Sequence, residues 1–110
     1  MAHYVCLVTF TDQGVKNLKK TTARAQAFQE KLEKHGIVFK ATLWTVGQYD
    51  IVHIFEAPDD KTAATFAYTL YSLGNVRTHT LRGFTAEEMD EIISRVQTPF
   101  DLLVDRPPAE

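Results

Sequence analysis

A single cysteine rules out an internal disulfide and any paired-thiol metal motif. Cys6 lies in the strand-like run His3-Tyr4-Val5-Cys6-Leu7-Val8-Thr9-Phe10, where a free thiol serves as a small apolar core group. No apolar run approaches the length of a membrane span. The N-terminus lacks the charged-then-apolar pattern of a signal peptide. Neither charge sign dominates, since 12 basic against 14 acidic residues leave a formal charge of -2. There is thus no basic surplus for nucleic acid and no acidic surplus for disorder. Gly-rich loops of P-loop or dinucleotide spacing are missing. Ser72 and Ser94 sit in or beside helical stretches, without a Gly-x-Ser-x-Gly elbow. No internal repeat or low-complexity segment occurs. These absences point to a cytoplasmic protein that uses neither nucleic acid nor membrane as a partner.

What is present reads as one small domain, because 110 residues suit a single core. The first strand, His3 to Thr11, is rich in aromatic and β-branched residues. Asp12-Gln13-Gly14 breaks it, with Gly14 expected in a sharp turn, and Val15 to Lys20 forms a short helical turn. A helix follows from about Ala23 to His35, with Thr22 as N-cap and Gly36 ending it. Strands span about Ile37 to Val46 and Asp50 to Glu56. Asp59 or Asp60 caps a second helix with Ala63, Phe66, Ala67 and Leu70 on its inner stripe, and Gly74 closes it. A fourth strand covers Val76 to Arg82. Thr85 and Glu88 form a capping box, and Met89, Ile92, Ile93 and Val96 recur at helical spacing. Residues 1–96 are assigned to the domain. Residues 97–110 are a tail, with Phe100, Leu102, Leu103 and Val104 packed on a neighbouring surface and 106–110 disordered.

The order β-α-β-β-α-β with an extra C-terminal helix is an α+β, ferredoxin-like plait. Its four antiparallel strands run 4-1-3-2, with both main helices on one face. The turn Gly47-Gln48-Tyr49-Asp50, together with Leu73-Gly74-Asn75-Val76-Arg77-Thr78-His79-Thr80-Leu81-Arg82, makes the chain resemble the GYD-domain family. That resemblance covers about Tyr4 to Met89. It implies the dimeric α+β-barrel arrangement, in which copies pair through their open sheet faces.

Side-chain alternation gives an expectation for each face. Val5, Leu7, Val52 and Ile54 are assigned to the helix-covered core. Tyr4, Cys6, Val8, Phe10, Ile51, Phe55 and Trp44 are assigned to the open face. Such a patch exceeds what soluble monomers expose, so homo-oligomerisation through that face is expected.

Strand one ends, and strands three and four begin, at one rim of this topology. Thr11, Asp12, Lys16, Tyr49, Asp50, Asn75 and Arg77 therefore converge as candidate ligand-binding residues. Asp50 is a candidate proton acceptor there, and Arg77 and Lys16 are anion receivers. Turn geometry and structural ion pairs, such as Arg77 with Asp12 or Asp50, explain the same residue types without a ligand. Lys16, Lys19, Lys20 and Arg24 form a basic cluster that is either a solvated surface or an anion site at the helix start near Thr22. His53 and His79 are placed level with Val8 on the open face, two strand spacings or about 10 Å apart. There they are weak candidates for a metal or haem, with Cys6 nearby, and for proton transfer. The GYD pattern requires His at neither position. Three readings follow: a small oligomeric protein binding an anionic or aromatic metabolite, an isomerase or oxidoreductase of the dimeric α+β-barrel type, and a self-assembling structural protein. The cofactor, if any, is left unknown.

Overall fold

The computed structural model describes residues 1–103. Its sheet contains β1 (Ala2–Phe10), β2 (Val38–Trp44), β3 (Ile51–Ala57) and β4 (Val76–Gly83) in the spatial order β2-β3-β1-β4. Every pairing is antiparallel, with β1 held between β3 and β4. The fold is the expected α+β ferredoxin-like plait, its order the same as 4-1-3-2 read from the other edge.

The connections follow from local chemistry. Helix α1 (Asp12–Lys16) and a 3₁₀ turn at Leu18–Lys20 lead into α2 (Thr21–Glu33). The expected N-cap at Thr22 is not used, because α2 continues directly from the 3₁₀ turn and already includes Thr21 and Thr22. Helix α3 (Asp60–Ser72) is capped by Asp59, whose carboxylate accepts from the Thr62 N–H at 2.7 Å. Helix α4 (Ala86–Ser94) starts at the reciprocal box of Thr85 and Glu88, at 3.1 and 2.9 Å. Gly36 and Gly74 adopt positive φ of 88° and 83° after the two long helices. Gly14 does not. It is helical and buried, and it is glycine because an added Cβ would lie 2.0 Å from the Asn75 carbonyl oxygen.

The two sheet faces are the reverse of the expected assignment. The helix-covered side carries Tyr4, Cys6, Val8, Ile51 and Phe55, all buried, with Cys6, Val8 and Phe55 at 0 % exposure. Trp44 pairs with Ile51 on that side, and its indole N–H donates to the α2 residue Thr21 at 3.1 Å. The other side carries Val5, Leu7, Val52 and Ile54. Packing against the helices explains the inversion. The inward surfaces of α2 and α3 present Phe28, Leu32, Phe66 and Leu70 beside the small Ala63, and the large rings of the sheet interlock with them. Phe55 stacks on Tyr4 at 5.3 Å and meets Phe66 of α3 edge-on at 4.8 Å.

The uncovered face is nevertheless apolar. Val5, Leu7 and Val52 lie at its centre, half-buried, with Leu43, Ile54 and Leu81 around them at 58, 38 and 52 % exposure. Helix α4 and helix α5 (Pro99–Leu103) follow β4 as an arm with an apolar surface of its own. Met89, Ile93, Val96, Phe100 and Leu103 are exposed along it, Leu103 at 84 %. The chain extends 59 Å along its longest axis against 21 Å along its shortest. Phe100, Leu102 and Leu103 of the expected tail fall in helix α5. Val104 and residues 106–110 lie outside the described residues.

Candidate functional site

The three turns reach a common rim, as the topology requires. The Thr11 N–H donates to the Asn75 carbonyl at 3.0 Å and the Thr11 hydroxyl to the Gly74 carbonyl at 2.6 Å. The same hydroxyl accepts from the Gly14 N–H at 3.2 Å and so caps α1. Gln13 donates to the Asn75 side-chain oxygen at 3.1 Å and Asn17 to the same atom at 3.5 Å. On the neighbouring strand, Asp50 accepts the Phe10 N–H at 2.7 Å, and its own N–H donates to the Val8 carbonyl at 2.8 Å. Thr11, Asp50 and Asn75 thus tie the turns to one another, using lone pairs and protons that a ligand would otherwise take. Gln13 and Asn17 were not singled out from sequence, because side-chain amides in a polar turn carry no pattern of their own.

The remaining rim residues divide. Asp12 and Lys16 are exposed. Arg77 pairs with neither Asp12 nor Asp50. It donates to the Tyr71 hydroxyl at 3.2 Å, with its guanidinium 5.8 Å from the centre of that ring. Tyr49 turns inward over the uncovered sheet face, where its ring lies 6.1 Å from that of His79 in an edge-to-face arrangement.

The expected histidine pair does not exist. His53 lies opposite Cys6 and His79 lies opposite Leu7, and successive residues of β1 point to opposite faces. The two rings are therefore separated by the sheet, and cannot grip one metal or one flat cofactor between them. No group of three or more His, Cys, Asp or Glu side chains among the described residues could hold a metal ion. His53 is instead a core residue, 5 % exposed, between the rings of Phe39 and Phe66. Its Nδ1 shares a 3.1 Å hydrogen bond with the Thr42 hydroxyl, which in turn accepts from Gln29 of α2 at 2.7 Å. Burial lowers its pKa to about 4, so the imidazole is neutral.

A second polar cluster lies at the opposite rim. The Tyr4 hydroxyl donates to Asp60, and the Arg82 guanidinium lies 5.5 Å from the Tyr4 ring and 4.6 Å from that of Phe84. Burial first, and the Asp60 carboxylate second, push the Tyr4 pKa up to about 12. Sequence reading missed this cluster because its members are 56 and 78 positions from Tyr4 and belong to no motif.

The family pattern of the GYD domain matches residues 4–93. The chain belongs to the GYD-domain family. The match takes in all three rim turns and ends within α4, ahead of α5. A relative from Thermus thermophilus, the glutamine synthetase and cystathionine beta-lyase binding protein, is 32 % identical over 90 residues. That alignment covers 81 % of this chain and 95 % of the relative. No solved structure matches the chain. No helix among the described residues is long and apolar enough to cross a membrane.

Proposed function

We propose that this GYD-domain protein is a self-associating binding protein of the cytoplasm. Its copies pair through the uncovered sheet face, and the assembly docks on other proteins and holds a small anionic or aromatic ligand. The observation that carries the reading is the face itself. Val5, Leu7, Val52, Leu43, Ile54 and Leu81 form an apolar surface across all four strands, and the α4–α5 arm adds a second one. Surfaces of that kind mark interaction sites in soluble proteins. The relative's name gives glutamine synthetase and cystathionine beta-lyase as what that protein binds, which makes the same two enzymes the first partners to test here. At the rim, Asp12, Lys16, Tyr49 and Arg77 are the side chains left to meet a partner or ligand, while Thr11, Asp50 and Asn75 hold the turns in place.

Sedimentation equilibrium of the wild type and of Ile54→Glu tests the assembly. The wild type should sediment as an oligomer at micromolar concentration and Ile54→Glu as a monomer with unchanged circular dichroism. A clean wild-type monomer would overturn the reading. Titration of purified glutamine synthetase into both forms then reports whether docking needs the assembly.

A further inference from the structure

Between α2 and the sheet lies a cavity of about 210 Å³ that no part of the assembly reading uses. Val8, Phe39 and Ile51 line it from the sheet, Phe66 and Leu70 from α3, and Phe28 from α2. That volume falls below the range of about 300–1,000 Å³ usual for drug-sized ligands, so the occupant must be small. Helix α2 forms a loose outer wall, since none of its residues is fully buried.

The charged groups around this mainly apolar space are of one sign, beside the uncharged Thr21, Gln29 and Asn75. Arg24 and Lys31 line it, and no carboxylate does. Arg24 is half-buried and makes no hydrogen bond or ion pair with any described residue. A guanidinium held against an apolar wall without a counter-charge is a site for an anion.

His53 supplies the second polar feature, on the sheet side. Thr42 already accepts from Gln29, and its own proton has no acceptor among the described residues other than His53 Nδ1. With the Thr42 proton given to Nδ1, the imidazole carries its own proton on Nε2. No described group accepts from Nε2. Nor is the atom sealed from solvent-sized space, because no buried side-chain nitrogen or oxygen among the described residues lacks a partner. The space that His53 lines is this cavity. An imidazole N–H therefore borders a mainly apolar cavity whose α2 wall carries an arginine with no partner among the described residues.

We infer that the cavity binds a small carboxylate with a flat or branched apolar body. The anion pairs with Arg24, the body packs among Phe28, Phe66 and Leu70, and His53 Nε2–H donates to an acceptor on the ligand. Neutral His53 is suited to this role, because a charged imidazolium would be costly against the surrounding rings.

Calorimetric titration with sodium phenylacetate, sodium isovalerate and the uncharged isostere phenylacetamide tests the inference. The wild type should bind at least one of the two carboxylates and prefer phenylacetate to its amide by about tenfold or more, the value of a charge-assisted hydrogen bond. Arg24→Gln should abolish that preference and leave the amide unchanged. Leu70→Trp, which fills the cavity, should remove binding of all three, and Ala25→Phe provides the same test from α2 should the first variant fold poorly. In the wild type, the His53 ring resonances should shift on saturation. Equal binding of acid and amide, retention of the preference in Arg24→Gln, or no binding of either carboxylate at millimolar concentration would overturn it. Repeating the titration on Ile54→Glu separates this inference from the assembly reading, since an internal cavity keeps its ligand in a monomer.

Discussion

Phe55 and Ile54 are neighbours on β3 that point to opposite faces of the sheet, and truncating each to alanine separates the two surfaces experimentally. Phe55 is 0 % exposed and touches three aromatic rings: Tyr4 at 5.3 Å, Phe66 at 4.8 Å and Phe39 at 5.9 Å. Removing a buried Phe side chain costs about 3–5 kcal/mol. The upper part of that range applies here, because Phe55 is fully buried among these rings. Ile54 is 38 % exposed. Full burial of such a side chain is worth about 1.5–3 kcal/mol, so in a separated chain its truncation should cost only about 1 kcal/mol. Urea unfolding followed by circular dichroism, over a dilution series of each variant, measures both. The Phe55→Ala loss should be independent of protein concentration. On the proposed assembly, the Ile54→Ala loss should grow with concentration, because a face covered only between copies stabilises by mass action. An Ile54→Ala loss matching that of Phe55→Ala at the lowest concentration would refute the face assignment. So would a Phe55→Ala loss below about 1 kcal/mol.

His53 gives the fold an acid sensitivity of defined sign. Its folded pKa lies at about 4 against 6.5 for the free side chain, so the folded state binds fewer protons and this contribution is complete above pH 6.5 and lost as pH falls towards 4. The loss amounts to roughly 3 kcal/mol, and urea unfolding should show the wild type weakening between pH 6.5 and 5 while His53→Gln stays flat. The carboxylates whose pKa is lowered (Glu56 by Lys40, Asp59 by the Thr62 N–H, Glu88 by the Thr85 N–H) lose their contributions only below that window. Gly14→Ala should cost about 1–3 kcal/mol by forcing the Asn75 backbone aside; a melting temperature equal to wild type would show that the rim yields freely.

The architecture was legible because each element carries its own local signal. Asp59, the Thr85–Glu88 box, Gly36 and Gly74 mark helix ends by chemistry that acts within three or four residues, and a β-α-β-β-α-β order leaves few ways to close a sheet. The choice of face was not legible for a physical reason. Alternation in β1 separates Tyr4, Cys6 and Val8 from Val5 and Leu7, and both sets are apolar. Nothing within the strand says which set meets the helices. The deciding quantity is how each set packs against Phe28, Leu32, Phe66 and Leu70, on elements far away in sequence. The error in pairing His53 with His79 has a related source. Placing both level with Val8 presumed an alignment of strand ends, whereas the actual register sets one opposite Cys6 and the other opposite Leu7. A one-residue offset moves a side chain through the sheet.

The rim shows how a recognisable turn can be informative without being a ligand site in itself. Asp50 fixes the end of β1 through the Phe10 N–H and the Val8 carbonyl, and Thr45 closes the turn by donating from its backbone N–H to the Asp50 carbonyl at 2.8 Å. Gly47 takes a φ of 137°, which a residue with a Cβ rarely adopts. Between them the Tyr49 carbonyl accepts from the Thr45 hydroxyl at 2.5 Å, and the Tyr49 side chain has one described contact, its ring against His79 on the uncovered face. The turn therefore aims one aromatic side chain across β1 towards β4, at the border of the apolar surface built by Leu7, Val52 and Leu43. An amphipathic ring on the margin of an apolar patch is the usual anchor of a protein interface. On the proposed reading, the residues that mark the chain as a GYD-domain protein would scaffold its contact surface, while the inferred carboxylate site lies on the other side of the sheet, with His53 and Arg24.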